Sequence, residues 1–251
     1  MEPEPVAPLP LTGERTVPGI TEENYWFRRH EAAYLALRPY CVDAFVLEAG
    51  CGEGYGADLL ARDAKLVLGL DYDATTANHV AKAYPAVRVT RANLAALPVR
   101  SSTVDVLANF QVIEHLWDQD GFLRECLRVL RPGSRLLITT PNRITFSPGR
   151  DTPLNPFHTR ELAPAELDTL LREAGFDVEF LAGLRHGPRL CELDAAFGGS
   201  LIEAQVEVAV SGAPWSAELR AAVASVAATD FAITTDDLES SLDIVGVAVR
   251  P

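Results

Sequence analysis

The feature that most constrains the fold is a glycine-rich turn between an apolar run and a helical stretch. Residues 48–56 read EAGCGEGYG, with Val46 to Ala49 predicted as a strand before them and Gly54 to Arg62 predicted as a helix after them. Alternating glycines at such a turn let backbone N–H groups approach a ligand closely. A second apolar run, Leu66 to Leu70, is predicted as a strand and leads to Asp71, whose carboxylate can hold both hydroxyls of a ribose. This order of strand, turn, helix, strand and acid predicts a bound ligand at the turn.

Strands and helices alternate along most of the chain. More strands are predicted at 87–89, 104–109, 135–139 and 176–181, and more helices at 74–83, 119–130 and 163–174. This alternation is typical of a parallel, doubly wound α/β sheet. We therefore expect two parts: residues 1–40 as a proline-rich arm and one helix, and residues 41–251 as the main domain.

The region before the last strand departs from that alternation. Residues 184–228 are alanine-rich and predicted to be mostly helical, with glycine breaks, before short strands at 231–233 and 242–249. We interpret them as a helical insertion. It is either a packing layer or oligomer surface, in which case a homo-oligomer is expected, or a mobile lid over the substrate site.

The charge balance and the cysteines exclude several classes of partner and site. Lys plus Arg number 22 against 35 Asp plus Glu, a net charge of −13, which repels phosphate backbones and anionic lipid. No nucleic-acid or membrane partner is expected. The chain begins without the basic residues of a signal peptide, so we expect a cytoplasmic protein. The four cysteines are far apart and form no C-x-x-C pair, which disfavours structural zinc and predicts free thiols: Cys41, Cys51, Cys126 and Cys191.

Two cofactor classes use a turn of this kind. A nicotinamide dinucleotide requires the pattern G-x-G-x-x-G/A. Residues 52–57 match this pattern, but the match begins two residues too far after the end of the strand. Residues 48–54 instead match E-x-G-x-G-x-G, which resembles motif I of the class I S-adenosylmethionine-dependent methyltransferases. Gly56 either belongs to the ligand loop or eases helix packing.

Later segments resemble the same family. Residues 71–73 (DYD) resemble its acidic ribose clamp, residues 92–94 (ANL) its adenine loop, and residues 110–116 (FQVIEHL) the segment after its fourth strand. The resemblance implies a Rossmann-like methyltransferase sheet that binds S-adenosylmethionine. Asn93 departs from the more usual aspartate, but an amide can still reach the adenine edge. The implied cofactor-binding residues are Glu48, Gly50, Gly52, Gly54, Asp71, Tyr72, Asn93, Leu94 and Gln111.

The leader resembles a narrower group within that family. Residues 11–19 (LTGERTVPG) and 23–30 (ENYWFRRH) are similar to an actinobacterial branch, the sugar 1-O-methyltransferases of mycobacterial methylmannose polysaccharide synthesis. That branch implies transfer of a methyl group to the 1-OH of a methylated mannoside. Arg15 is our candidate to bind the methionyl carboxylate. The aromatic run Tyr25 to Phe27 is either core or a cover over the sugar or cofactor.

Candidate catalytic residues follow the fourth and fifth strands: Glu114, His115 and His158. Both segments lie at strand ends that face a cofactor crevice. A sugar hydroxyl needs a general base or a metal that lowers its pKa. The Glu-His pair with a later histidine resembles metal-using members of the family, which implies a divalent ion such as Mg²⁺ on these three residues. In those members the run is E-x-x-E-H, whereas the first acid here is Gln111. His158 as an unaided general base, or as a structural residue, are the alternatives.

The sequence as a whole predicts an O-methyltransferase that uses S-adenosylmethionine and a small-molecule or oligosaccharide acceptor, most simply a sugar. Two alternatives remain: O-methylation of another small metabolite, such as a phenol or carboxylate, and a non-catalytic S-adenosylmethionine-binding regulator. A nicotinamide oxidoreductase would need the dinucleotide pattern in the correct strand register, which the turn lacks.

Overall fold

The computed structural model describes residues 9–10 and 15–251, so most of the proline-rich start and residues 11–14 of the leader lie outside the described residues. The helices α1 to α9 are, in order, Asn24–Leu37, Tyr55–Ala61, Ala74–Ala83, Gln119–Val129, Arg143–Phe146, Pro164–Glu173, Pro188–Ala196, Leu201–Ser211 and Ala217–Ala224. The strands β1 to β8 are Phe45–Ala49, Leu66–Asp71, Arg88–Arg91, Val104–Phe110, Leu130–Pro141, Asp177–His186, Phe231–Thr234 and Asp243–Val249.

The strands form one sheet in the order β3-β2-β1-β4-β5-β8-β6-β7. Strands β1 to β5 pair in parallel, whereas β8 is antiparallel to both β5 and β6, and β7 is antiparallel to β6. The predicted doubly wound Rossmann-like fold is confirmed. The expectation of a wholly parallel sheet is wrong at β7 and β8, because an apolar run in the sequence does not indicate its direction.

Two hydrophobic clusters cover the two faces of the sheet. The neighbouring residues Val46 and Leu47 belong to different clusters, as expected for adjacent side chains of a strand. The first cluster receives side chains from α1, α2, α3 and the insertion helices, and the second from α4 and α6. The strand order reverses between β1 and β4, which opens a crevice at their carboxyl ends.

The helical insertion begins later than the sequence predicts. Strand β6 continues through His186, so the prediction that the insertion starts at residue 184 is wrong, and its helices begin at Pro188. Leu190, Leu201 and Leu219 of α7, α8 and α9 join the hydrophobic cluster that α1 also enters. The insertion helices therefore pack on the face of the sheet that α1 also covers. The division of the chain at residue 40 stays a prediction.

Two further sequence predictions concern cysteines and membrane helices. All four cysteines are free thiols, as expected, and only Cys191 is exposed. None of the helices in residues 9–10 and 15–251 is long and apolar enough to cross a membrane.

Candidate active site

A cavity of about 960 Å³ lies at the carboxyl ends of β1, β2 and β4. Its size is at the upper end of the usual range for ligand pockets, about 300 to 1,000 Å³. The predicted site residues that line it are Arg15, Gly50, Gly52, Asp71, Tyr72, Asn93, Leu94, Gln111, Glu114, His115 and His158. Glu48 and Gly54 do not line it. The structure thus brings most of the predicted cofactor residues and all three predicted catalytic residues to one cavity.

The glycine turn has a backbone that few other residues could adopt. Gly50, Gly52 and Gly54 all have positive φ angles, of 88°, 52° and 103°. A Cβ added at Gly50 would lie 2.6 Å from Val112, whereas the space beside Gly52 is open to 4 Å. Gly52 therefore gives a ligand close access to the backbone.

The hydrogen bonds of this turn lie within the protein. The N–H groups of Gly50 and Cys51 both donate to the carbonyl oxygen of Leu70, at 2.9 Å each. The N–H group of Gly52 donates to Asp71 at 3.0 Å. These three amides fasten the turn to the end of β2, and close approach of the turn's backbone to a ligand stays a prediction. What the glycines supply is a fixed, open backbone surface.

Asp71 combines a fixed position with acceptor capacity. Its two carboxylate oxygens accept from the N–H groups of Gly52 and Asp73, at 3.0 and 2.9 Å. Each oxygen has a further lone pair, which suits two neighbouring ribose hydroxyls. Burial raises the pKa of Asp71 above its usual value. A pair of hydroxyl donors would compensate that loss of solvation.

Asn93 and Tyr72 lie beside Asp71 on the cavity wall. The Oδ1 atom of Asn93 accepts from the N–H group of Ala95 at 3.0 Å, so its amide NH₂ is the donor that remains for a ligand. Tyr72 is 67% exposed, with the guanidinium of Arg91 5.4 Å from its ring centre. An amide donor beside an exposed ring suits a planar base. This part of the wall therefore fits an adenine.

Glu48, although predicted to bind the cofactor, is buried beneath the turn. Its carboxyl accepts from the Tyr34 hydroxyl at 2.6 Å, and burial raises its pKa to about 8. Gly54 likewise faces the protein, because a Cβ there would lie 2.8 Å from Val80 and Tyr84. Any effect of these two residues on the cofactor passes through the shape of the turn. Gly56 packs against Tyr34, where a Cβ would clash, which supports the packing interpretation.

Arg15 lies at the first turn of α3. Its guanidinium donates to the Thr76 hydroxyl at 2.6 Å and lies 3.5 Å from Asp73. Its contact with a methionyl carboxylate stays a prediction. Of the other basic residues in the leader, Arg29 is not a solvated charge, because it is buried and donates to Asp243 at 2.7 and 2.5 Å.

The three predicted catalytic residues form a compact cluster. Ligand atoms of Glu114, His115 and His158 all lie within 4.8 Å of one another. The Nδ1 atom of His115 donates to the carbonyl oxygen of Phe157 at 3.0 Å. The Nδ1 atom of His158 donates to Glu161 at 2.6 Å, and its Nε2 atom accepts from the Asn155 amide at 3.1 Å. In both histidines the Nε2 atom is therefore the one with a lone pair.

The electrostatics of this cluster favour a positive charge. Glu114 is almost fully buried and accepts from the Thr140 hydroxyl at 2.9 Å, and burial raises its pKa to about 8. The side chain of Glu161, which orients His158, is also buried. Buried carboxylates next to neutral imidazoles are stabilised in their ionised form by a bound cation or by protonation of the imidazole. The cluster can thus hold a divalent cation or accept a proton.

Several cavity residues were not predicted by the sequence. Trp26, Arg29 and His30 of α1 and Ile202 and Val206 of α8 line the same cavity. Burial lowers the pKa of His30 to about 4, so this imidazole is neutral near pH 7. The sequence indicated this wall only through the aromatic run at the start of α1 and through the interpretation of the insertion as a lid. Of the aromatic run, Trp26 lines the cavity, whereas Tyr25 and Phe27 do not.

A partly buried hydrogen-bond chain joins α1 to the insertion. The Tyr25 hydroxyl donates to His186 Nε2 at 2.6 Å, and His186 Nδ1 donates to Asp194 at 2.6 Å. Asp194 in turn accepts from the N–H group of Leu201, the first residue of α8. The sequence predicts His79 and His186 as surface or helix-face residues; His79 lies on the buried face of α3, and His186 is half-buried. His79 is buried and bonds Glu53 of the glycine turn at 2.8 Å.

The strand order is typical of the Rossmann-like fold of class I S-adenosylmethionine-dependent methyltransferases. A family model described as a methyltransferase domain matches residues 47–138. A protein of Mycolicibacterium smegmatis, named a probable S-adenosylmethionine-dependent methyltransferase, is 61% identical over 246 residues, which cover 97% of this chain and 96% of that one. The chain belongs to the S-adenosylmethionine-dependent methyltransferases.

More distant similarities extend to other members. A ubiquinone biosynthesis O-methyltransferase of Parvibaculum lavamentivorans is 29% identical over 168 residues, covering 61% of this chain and 66% of that one. Among solved structures, a complex of the Haloferax volcanii Trm112 methyltransferase activator with a methyltransferase matches with a TM-score of 0.63 and 17% identity, covering 92% of both chains. At that identity, the match supports the fold alone.

Proposed function

We propose that this methyltransferase transfers the methyl group of S-adenosylmethionine to a sugar hydroxyl, and that its acceptor is the 1-OH of a methylated mannoside. The observation that carries transfer to a hydroxyl is the Glu114, His115 and His158 cluster in the cavity that Gly52 and Asp71 also line. The mannoside is proposed from the resemblance of the leader to the sugar 1-O-methyltransferases. A hydroxyl requires such proton-accepting or cation-binding groups, since it is a weak nucleophile. The distant ubiquinone-pathway relatives, which are O-methyltransferases by name, support transfer to oxygen.

The cofactor is held, in this proposal, by the end of the cavity nearest β1 and β2. Asp71 accepts from the two ribose hydroxyls, Asn93 donates to the adenine edge, and Tyr72 and Leu94 contact the base. Gly50, Gly52 and Gln111 shape the backbone around the methionyl part, and Arg15 binds its carboxylate. S-adenosylmethionine supplies an already activated methyl group for an in-line displacement.

Where no cation is bound, His158 removes the acceptor proton. Glu161 accepts from its Nδ1 atom at 2.6 Å, which fixes the tautomer with a lone pair on Nε2. Asn155 donates to that lone pair, so an acceptor hydroxyl at Nε2 would replace the Asn155 contact. As the hydroxyl proton moves to Nε2, the Glu161 carboxylate stabilises the imidazolium that forms.

Glu114, His115 and His158 would hold a divalent cation if one binds. One carboxylate and two imidazoles fit such an ion, and the hydrogen bonds of both histidine Nδ1 atoms are of the kind that orients metal ligands. The donor set suits a first-row transition ion better than Mg²⁺, which prefers oxygen ligands. A bound ion would lower the pKa of the acceptor hydroxyl and stabilise its developing negative charge.

Transfer of labelled methyl groups tests the proposed reaction. Purified protein is incubated with methyl-labelled S-adenosylmethionine and 3-O-methylmannose, next to the same sugar with its 1-OH blocked. We expect label in the first sugar only. NMR of the product should show that the labelled methyl group is attached to O1. Label that enters both sugars would contradict the 1-OH assignment, and label that enters neither would contradict this sugar as the acceptor.

Chelation separates the two ways of activating the hydroxyl. With a cation in the cluster, EDTA abolishes turnover and added Mn²⁺ restores it more strongly than Mg²⁺. Unchanged turnover in EDTA would contradict the cation and leave His158 as an unaided base. Binding of S-adenosylmethionine, measured by calorimetry in the same samples, should not change with EDTA.

The insertion and α1 together form the acceptor wall in our proposal. Trp26 and His30 contribute from α1, and Ile202 and Val206 from α8. Because these residues belong to the layer that covers the cavity, we propose that α8 is a lid that becomes more ordered when acceptor binds. Hydrogen exchange of α8 amides with and without acceptor tests this, and equal exchange would contradict it.

A further inference from the structure

Trp117 is an unusual residue for the surface of a folded protein. Its side chain is 93% exposed, yet it lines the main cavity and directly follows the turn that contains Glu114 and His115. A large apolar ring exposed to this degree gains nothing for folding. Tryptophan is enriched at binding sites, where one side of the ring meets a ligand. Its position at the cavity mouth is therefore typical of a ligand contact.

Two more exposed apolar side chains lie on the neighbouring loop. Leu154 is 51% exposed and lines the cavity, and Phe157 is 44% exposed. We name Trp117, Leu154 and Phe157 the rim.

Hydrogen bonds fasten the two loops of the rim together. His115 Nδ1 donates to the carbonyl oxygen of Phe157 at 3.0 Å. The Thr159 hydroxyl donates to the carbonyl oxygen of Leu116 at 2.8 Å. The Thr159 N–H group donates to the carbonyl oxygen of Glu114 at 2.7 Å. The rim is therefore held at a set distance from the catalytic cluster.

We propose that the rim is a platform for a sugar ring of the acceptor, with Trp117 stacked against the ring's apolar C–H face, and that it sets acceptor specificity. This inference rests on the proposed sugar O-methylation. A pyranose ring has one face of C–H groups and hydroxyls that stay hydrated, so it needs an aromatic partner on one side only. A phenol is apolar on both faces, so a one-sided platform would leave half of its apolar surface in water. All three side chains of the rim are uncharged, which fits a neutral ligand.

The rim also gives a physical reason for preferring methylated sugars. An O-methyl group on the stacked ring adds apolar surface that the rim can bury. Burial of one such group strengthens binding by about fourfold. An acceptor with O-methyl groups on its rings should therefore bind more tightly than its unmethylated counterpart, and this preference should depend on Trp117.

Substitution of Trp117 tests the platform. The variants Trp117→Ala and Trp117→Phe are compared for acceptor KM, kcat and affinity for S-adenosylmethionine, with a 3-O-methylated mannoside as the acceptor. We expect Trp117→Ala to raise acceptor KM about tenfold, Trp117→Phe to raise it less, and cofactor affinity to stay within twofold. The control is Tyr72→Ala, which removes another exposed ring that lines the cavity beside Asp71. It should weaken cofactor binding and leave acceptor KM within twofold.

Fluorescence gives a readout that does not depend on turnover. Protein loaded with S-adenosylhomocysteine is titrated with the same mannoside, and the emission of the wild type is compared with that of Trp117→Phe. The other two tryptophans, Trp26 and Trp215, are present in both proteins, so the difference isolates Trp117. We expect a larger shift to shorter wavelength in the wild type than in the variant, in which only Trp26 of the acceptor wall responds.

The outcomes distinguish the platform from the proposed function. If the wild type methylates the mannoside and Trp117→Ala keeps its acceptor KM within twofold, the platform is wrong and the function stands. If the mannoside shifts the emission of Trp117 but no methyl group is transferred, the platform stands and the function is wrong. Absence of both signals overturns both proposals.

Discussion

The two halves of the cavity are built in different ways. The half that we propose for the cofactor, around Gly50, Gly52, Asp71 and Asn93, comes from neighbouring strand ends that are close in sequence, and the N–H groups of its glycine turn are bonded within the protein. The acceptor half combines α1, the loops after β4 and β5 and helix α8, which are far apart in the chain. The first half is a rigid local motif, whereas the second depends on how distant elements pack. Substitutions in one half should therefore leave the function of the other intact.

The largest effect is expected at His158. Replacing it by alanine removes the proton acceptor, so kcat should fall by about 10²- to 10⁴-fold. Affinity for S-adenosylmethionine, measured by calorimetry, should stay within twofold, because His158 belongs to the acceptor half. A variant that loses cofactor binding and turnover together would contradict the separation of the two halves.

Asp71 should show the opposite behaviour. Asp71→Ala removes the acceptor of the ribose hydroxyls and should cost about 1 to 3 kcal/mol of binding free energy for S-adenosylmethionine. Acceptor KM, measured at saturating cofactor, should change little. Calorimetry that shows the wild-type affinity in this variant would remove Asp71 from the cofactor site, and His158→Ala serves as the matched control.

Tyr25→Phe tests how the acceptor half is held together. Loss of the hydroxyl leaves His186 without its buried partner, so the free energy of unfolding should fall by about 1 to 2 kcal/mol. Acceptor KM should also rise, because the hydrogen bonds from Tyr25 through His186 to Asp194 orient the start of α8. Tyr40→Phe is the control, since no hydrogen bond of its hydroxyl is found in the described part of the chain. Equal stability of both variants in urea unfolding would contradict this account.

Substitution of Glu48 should have a small effect on the free energy of unfolding that depends on pH. Its folded pKa of about 8 lies above the usual value near 4.5, so the stability that the neutral carboxyl contributes is complete below pH 4.5 and is lost as the pH rises through 8. Glu48→Gln keeps a neutral acceptor for Tyr34 and should escape that loss. Between pH 6 and 8 the variant should gain about 1 kcal/mol or more relative to the wild type. Parallel stability curves for the two proteins would contradict a raised pKa.

The same contrast explains what the sequence could predict. The sheet, the glycine turn and Asp71 follow from local periodicity and spacing, and the structure confirms the fold they imply. Glu114, His115 and His158 were also identified, because all three follow strand ends. By contrast, the role of Glu48 beneath the turn depends on Tyr34 of α1, a contact that no local pattern records.

The acceptor half shows the limits of local patterns most clearly. The sequence does not show that His186 is held by hydrogen bonds, because its partners, Tyr25 and Asp194, come from different elements. The alanine-rich composition of α8 does not show that Ile202 and Val206 reach the cavity. The exposure of Trp117 is likewise a property of the folded chain.

A crystal structure with S-adenosylhomocysteine and a methylated mannoside tests the division of the cavity most directly. We predict that the ribose hydroxyls lie within hydrogen-bond distance of Asp71. The sugar hydroxyl should lie within hydrogen-bond distance of His158 Nε2 and about 3 to 3.5 Å from the position of the transferred methyl carbon. A mannoside bound away from Glu114, His115 and His158, or a ribose bound at these residues, would contradict the account.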